Sequence, residues 1–287
     1  MKWTLLFLAL VLAACDDDGP SREPARLRNK IVFISDRDGY PQLYVMNTDG
    51  TGVKLLPATQ PGSVGLPAVS PNGRQIAFVL NGDIWLMNAD ATGQVNLTNN
   101  PAYEGYPSWS PDGRRLAFSS DRDGHTEIYV MNADGSNPVN LTNDPGFDGG
   151  SSWSPDGTNI LFTTDRDGNT ELYVMDSDGS NPTNLSNNPE GDALGVYSHD
   201  GLKIAFVSGR DQFADRVYMM TSDGGSLRLD VPDAPAGGLP SWSPDDSRIA
   251  FTGGSTNAEI VMMLADGMQQ ANLTNNSAED RDASWSP

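Results

Sequence analysis

Two segments of the chain carry carboxylates at spacings that could hold a metal ion. Both contain Asp-Arg-Asp-Gly followed by a Glu, and the candidate ligands are Asp121, Asp123, Glu127, Asp165, Asp167 and Glu171. Calcium prefers oxygen ligands, but an EF-hand loop has a further acidic or Asn position before its Gly and a more distant Glu. We therefore expect hairpin turns, in which Asp accepts local hydrogen bonds and Arg pairs with a carboxylate of an adjacent blade. The prediction is that no cofactor is bound, and calcium is the alternative.

A second group of acidic and aromatic side chains occupies the variable connections between repeats. Variable loops on a rigid scaffold are the usual site of recognition. We predict that this group forms an acidic partner-binding surface, and the alternative is ordinary solvated surface. Its members are Tyr103, Glu104, Tyr106, Asp144, Phe147, Asp148, Glu190, Asp192, Asp233, Glu279, Asp280 and Asp282.

The sequence predicts no catalytic residues. It contains no Gly-x-Ser-x-Gly nucleophile motif. The two histidines, His125 and His199, occupy different turn types that we place on opposite faces, too far apart for a shared metal or a triad. Carboxylate pairs near a central channel could serve a polysaccharide lyase or hydrolase. An enzyme is therefore the alternative to a binding protein.

The net charge of the chain is strongly negative. The 287 residues include 38 acidic and 18 basic side chains, which gives a formal charge of −20. Nucleic-acid phosphates bind through Lys and Arg, so this balance argues against a nucleic-acid partner. An acidic surface favours a soluble monomer.

The N-terminus has the layout of a secretory signal. Residues 1–14 hold Lys2, an apolar run and two small residues, and the run is too short for an ordinary transmembrane helix. The sequence Leu12-Ala13-Ala14-Cys15 resembles the lipobox of bacterial lipoproteins. This resemblance implies cleavage before Cys15 and attachment of lipid to that cysteine. Residues 15–30 would then form a flexible tether from the membrane, with the protein in the periplasm or on the outer side of the cytoplasmic membrane.

One repeated segment, best seen from Pro107 to Gly135, supplies the elements that position all these groups. Its turn proline, or the residue in that place, recurs at intervals of 40 to 45 residues, a period typical of four-stranded propeller blades. These positions are Pro71, Pro111, Pro155, His199, Pro244 and Pro287. Short apolar runs such as Leu116-Ala117-Phe118 lie between Asp-Gly turns and predict strands.

The predicted strands are apolar on both faces, which suits a sheet packed between two neighbouring sheets. The first predicted strand of the chain, at Ile31, corresponds to the second strand of the repeat. The last predicted strand, at Ala283 to Ser286, corresponds to the first strand of the repeat. We therefore predict an all-β, six-bladed β-propeller over residues 31–287, with four-stranded blades and a ring closed by the C-terminal strand joining the first N-terminal blade. A tryptophan recurs at one repeat position, and we expect it to pack between blades.

The repeat Ser-Pro-Asp-Gly, Ile-Ala-Phe, Arg-Asp-Gly, Ile-Tyr-Val-Met, Asp-Gly resembles that of the TolB-like family of six-bladed β-propellers. The resemblance covers residues 31–287 and implies the same fold. Together with the lipobox it predicts a lipid-anchored protein of the cell envelope that binds a protein or peptide through its acidic loops. The alternatives are a polysaccharide lyase or hydrolase acting at the channel mouth, and a calcium- or glycan-binding module.

Overall fold

A computed structural model describes residues 25–58, 62–210, 216–225, 238–254 and 257–287. Residues 1–14, Cys15 and Asp233 lie outside the described residues, and so does most of the expected tether. Every regular element in the described ranges is a β-strand. Within the same ranges, no helix is long and apolar enough to cross a membrane.

The strands form six antiparallel sheets, which we number as blades in chain order. Blade 1 contains β1 (Lys30–Ser35), β2 (Gln42–Asn47), β3 (Lys54–Leu56) and, from the other end of the chain, β23 (Asp280–Trp285). Blade 2 contains β4 (Val64–Val69), β5 (Gln75–Leu80), β6 (Asp83–Asn88) and β7 (Val95–Asn96). Blade 3 contains β8 (Glu104–Trp109), β9 (Arg115–Ser120), β10 (Glu127–Asn132) and β11 (Val139–Asn140).

The other three blades repeat this pattern. Blade 4 contains β12 (Asp148–Trp153), β13 (Asn159–Thr164), β14 (Glu171–Asp176) and β15 (Thr183–Asn184). Blade 5 contains β16 (Asp192–Tyr197), β17 (Lys203–Ser208) and β18 (Arg216–Thr221), and residues 226–237, which follow it, lie outside the described ranges. Blade 6 contains β19 (Gly238–Trp242), β20 (Arg248–Gly253), β21 (Glu259–Leu264) and β22 (Ala271–Asn272).

The core lies between neighbouring blades, as the apolar pattern predicts. One phenylalanine at the same place in each second strand is almost completely buried: Phe33, Phe78, Phe118, Phe162, Phe206 and Phe251. The recurring tryptophan bridges two blades. In blade 3, Trp109 packs against Ala77 and Leu86 of blade 2, and its indole N–H donates to the Ala68 carbonyl at 3.0 Å. The prediction that this position serves packing between blades is confirmed.

The ring closes through β23, the innermost strand of blade 1. Ile31 of β1 pairs with Trp285, and Ser35 pairs with Asp280. The Ser286 N–H also donates to the Lys30 carbonyl at 2.8 Å. The predicted six-bladed propeller and its closure by the C-terminal strand are confirmed.

Each inner strand carries a β-bulge that the sequence pattern does not predict. The pairing register shifts by one residue in all six. One residue at each shift has a left-handed backbone, with φ between 43° and 62°. These six residues, which we call the bulge ring, are Leu66, Tyr106, Gly150, Leu194, Leu239 and Asp282. A left-handed conformation costs a non-glycine residue roughly 1–2 kcal/mol, so packing around the ring must maintain it.

Trp285→Ala should destabilise the whole ring. Trp285 belongs to blade 1 but packs with Ala250 and Ile260 of blade 6, so its loss opens a cavity at the closure. We expect the free energy of unfolding to fall by about 3–5 kcal/mol, measured by urea denaturation. Met268→Ala, at an exposed turn, is the control and should change little. Equal unfolding midpoints for the two variants would show that closure does not limit stability.

Candidate functional site

One face of the propeller carries the turns between the second and third strands of each blade. It also carries the connections that lead into the inner strands, and we call it the loop face. Hydrogen bonds from backbone N–H groups to turn carboxylates join the turns to the connections. The Asp121 carboxylate accepts a hydrogen bond from the Tyr103 N–H at 2.8 Å, and Asp165 does the same for Phe147 at 2.7 Å. Thus the first Asp of each Asp-Arg-Asp-Gly turn holds the connection that precedes its own inner strand.

The arginine of the turn forms a buried ion pair in four blades. Each pairs with the acidic residue that begins the inner strand of the same blade, at nitrogen–oxygen distances of 2.8 to 3.0 Å. The pairs are Arg37–Asp280, Arg122–Glu104, Arg166–Asp148 and Arg210–Asp192. The expected pairing of Arg with an adjacent blade is therefore wrong, because the hairpin turn folds over the edge of its own sheet.

These pairs correct the predicted acidic surface. Glu104, Asp148, Asp192 and Asp280 are 0% exposed. Their predicted placement on exposed connections is wrong, because the inner strands begin earlier than expected and take in these residues. Burial raises the pKa of Glu104, against the opposing effects of Arg122 and Ser120.

Each paired guanidinium also lies over two aromatic rings of its blade. Arg122 Cζ is 5.6 Å from the centre of the Phe118 ring and 4.7 Å from that of Tyr129. The Tyr129 hydroxyl in turn donates to Asp123, the second Asp of the turn. Burial and this hydrogen bond raise the pKa of Tyr129. Carboxylate, guanidinium and aromatic rings thus form one repeated unit that fixes the hairpin turn.

The six candidate metal ligands do not converge on one point. Asp121 and Asp165 hold connections, and Asp123 and Asp167 accept from tyrosine hydroxyls. Glu127 and Glu171 are buried and accept the Asp144 and Asn188 N–H groups, each at 3.2 Å. In the part of the chain that the structure describes, no group of three or more His, Cys, Asp or Glu residues is arranged to hold a metal.

The remaining predicted residues stay at the loop face. Tyr103 and Phe147 are 46% and 41% exposed. Glu190 and Glu279 are exposed as well, and Tyr106, Asp144 and Asp282 are half-buried. The sequence reasoning missed Tyr40, which is 51% exposed in the loop-face turn of blade 1. Its position directly after the Asp-Gly of that turn was the available signal.

A central channel of about 500 Å³ passes between the inner strands of all six blades. The bulge ring lines it toward the loop face, and Pro71, Pro111 and Pro155 line it near the opposite turns. Its bulge-ring lining is mainly apolar, with Asp282 as the carboxylate. The Asp282 side chain accepts a hydrogen bond from the Leu66 N–H at 3.2 Å, and burial raises its pKa.

The two histidines lie apart, as predicted from their turn types. His125 is exposed in the loop-face turn of blade 3. His199 Nδ1 is 2.9 Å from Asp246 Oδ1, a contact between turns of blades 5 and 6 on the opposite face.

The TolB beta propeller domain family matches residues 66–287, well over half of the chain. The chain belongs to this family. No curated protein sequence gives a significant match. Among solved structures, TolB from Acinetobacter baumannii is similar at 26% identity, with a TM-score of 0.82 over 92% of this chain and 68% of that one.

Two further structures resemble the propeller at lower identity and show a shared fold. The putative TolB from Agrobacterium tumefaciens is 20% identical, with a TM-score of 0.71 over 90% of this chain and 99% of that one. An oligogalacturonate lyase in complex with manganese is 13% identical, with a TM-score of 0.61 over 85% of this chain and 73% of that one.

The ion pairs correspond to a regular spacing in this TolB-family sequence. In three repeats the acidic residue precedes the arginine by 18 positions. Blade 2 lacks both partners: its inner strand begins with the buried Val64, and its turn is Asn81-Gly82. Acid and arginine are therefore present together or absent together in these blades.

Arg166→Leu should be more harmful than removal of the whole pair. It leaves Asp148 buried without its cation, and such a loss costs about 3–5 kcal/mol. In the double variant with Asp148→Val, the charge is replaced by the residue type that blade 2 uses. We expect the double variant to recover part of the lost unfolding free energy, measured by urea denaturation as a double-mutant cycle.

Glu190→Gln, on the exposed part of the same face, is the control for this cycle and should have little effect. Strictly additive losses from Arg166→Leu and Asp148→Val would contradict a coupled ion pair.

Proposed function

We propose that this protein is a lipid-anchored scaffold of the cell envelope that binds a protein or peptide partner through its loop face, without catalysing a reaction. One observation carries the proposal. The three strongly exposed aromatic side chains of the described residues, Tyr40, Tyr103 and Phe147, all belong to the loop face. Aromatic side chains are enriched at protein interfaces because they bury large areas at little entropic cost.

The electrostatic part of this surface is smaller than the sequence suggests. Four of the predicted carboxylates are paired with arginine inside the blades, and Asp282 lines the channel. Among the predicted carboxylates that the structure describes, this leaves Asp144, Glu190 and Glu279 on the loop face. A partner with apolar and basic side chains would complement this combination. The rigid strands below hold the connections in place, so little order has to be gained on binding.

The described residues nearest the N-terminus attach to the face opposite the loop face. The Leu27 N–H donates to the Gly73 carbonyl at 2.7 Å, and the Asn29 N–H donates to Pro287 at 2.9 Å. Gly73 and Pro287 belong to the face opposite the loop face. A tether from Cys15 would therefore reach the propeller on that opposite face and leave the loop face free of the attachment.

Replacing Tyr103 and Phe147 together with Ser should weaken partner capture at least tenfold, because truncation of exposed aromatic anchors commonly costs more than 1.4 kcal/mol. Capture is measured by quantitative cross-linking in an envelope extract of the cells that make the protein. The control is Leu202→Ser with Met268→Ser, two apolar residues on the opposite face that are 64% and 65% exposed. Equal capture by the two double variants would remove the loop face as the binding surface.

Cys15→Ser should release the protein from the membrane, since lipid attachment at this residue is the proposed anchor. The expected result is a shift from the detergent phase to the aqueous phase on detergent partitioning. In the unmodified protein, mass spectrometry should find an N-terminal peptide that begins at Cys15 with the mass of the attached lipid. Asp16→Asn is the control and should stay in the detergent phase. An unlipidated Cys15 would refute the anchor while leaving the binding test intact.

A further inference from the structure

The bulge ring contains a carboxylate in an unusual setting. Asp282 is in the left-handed conformation at φ 58°, and its side chain is only 14% exposed. Leu66, Leu194 and Leu239 occupy the same bulge position in three other blades, so the carboxylate lies in a mainly apolar ring. A charge in such surroundings is costly unless a cation compensates it.

The cation next to Asp282 compensates it poorly. Arg281 Nε lies 3.7 Å from Asp282 Oδ2, beyond hydrogen-bond distance, and the Arg281 side chain is considerably exposed to solvent. By contrast, the four acids at the start of the inner strands each have an arginine nitrogen within 2.8 to 3.0 Å. With respect to the described residues, Asp282 is therefore available to form a closer ion pair with a group that enters the channel.

The channel also supplies an aromatic face for that group. Tyr106 occupies the bulge position of blade 3 and lines the same channel as Asp282. Burial and, to a smaller extent, the charge of Asp282 raise the pKa of the Tyr106 hydroxyl. Carboxylate and tyrosine ring are the partners that each internal arginine has in the repeated ion-pair unit.

A second polar group in the channel lacks a partner. Ser151 follows Gly150 in the bulge of blade 4, on the side of the ring opposite blade 1. Its hydroxyl is buried, the residue is only 8% exposed, and none of the described residues forms a hydrogen bond with that hydroxyl. An unsatisfied buried hydroxyl costs about 1–3 kcal/mol, which a polar ligand atom would offset.

We infer that the channel mouth binds the guanidinium group of an arginine side chain of the partner, with Asp282 as its carboxylate and Tyr106 as its aromatic face. This inference rests on the proposed function in taking a protein as the source of the arginine. Guanidinium suits the site better than ammonium because it can pair with a carboxylate and stack on a ring at once. The apolar ring strengthens the ion pair by excluding water.

The direct test titrates the full chain, purified in detergent, with N-acetyl-arginine N-methylamide, followed by NMR. The uncharged control probe is the citrulline analogue, which has nearly the same shape. We expect saturable binding of the arginine probe with chemical-shift changes at Leu66 and Tyr106, and at least tenfold weaker binding of the citrulline probe. Equal affinity for the two probes, or no saturable binding of either, would overturn the inference.

Asp282→Asn removes the charge and keeps the shape, and Asn tolerates the left-handed backbone well, so this variant should fold. It should bind the arginine probe about tenfold more weakly, while Asp266→Asn, the same change at an exposed turn on the opposite face, should not. A thermal unfolding midpoint equal to that of the unmodified chain verifies the fold of the Asn variant. Undiminished probe binding by Asp282→Asn would also overturn the inference.

The same variants separate this inference from the proposed function. If the Tyr103/Phe147 double variant loses partner capture but Asp282→Asn does not, the loop face binds a partner and the arginine site is refuted. If the arginine probe binds through Asp282 but partner capture is unaffected by the aromatic changes, the site stands and the proposed surface is wrong.

Discussion

The structure depends on the fact that both faces of every blade are apolar. A sheet of this kind cannot leave either face in water, so each blade needs a neighbour on both sides. A closed ring meets this requirement for all six blades, whereas an open stack would leave two faces uncovered. The pairing of β23 with β1 is therefore the contact through which the other interfaces become complete.

Folding of each blade brings charged groups into places that the linear chain does not reveal. The acidic residue that begins an inner strand lies beneath the hairpin turn of its own blade, and the turn arginine covers it. Aromatic rings of the second and third strands support the guanidinium from below. Removal of one partner from such a unit exposes the other to an unfavourable environment, which explains why blade 2 lacks both. Some of the acidic residues of the sequence thus serve the interior of the blades.

The channel combines strained backbone with a rigid frame. Five of the six bulge-ring residues are not glycine, and each keeps a left-handed backbone that an isolated peptide would avoid. The bulges direct these side chains toward the axis, where the inner strands of all blades meet. Strained positions of this kind persist where surrounding packing determines them, and they are common at binding sites. Rigid strands below and variable connections above give the loop face the usual division between scaffold and recognition.

The sequence by itself determined the blade count, the strand order within a blade and the closure of the ring. The repeat period gives the number of blades, and the repeat pattern shows which strand of a blade comes first in the chain and which comes last. It also placed Tyr103, Phe147, Glu190 and Glu279 correctly on the exposed connections. It could not place Glu104 or Asp148, since an acidic residue next to a loop looks the same whether it faces water or an arginine 18 positions later. Only the tertiary structure showed that these two residues are buried beside arginine. Only the tertiary structure located the bulge ring as well, because burial and backbone strain arise when distant strands pack around a common axis.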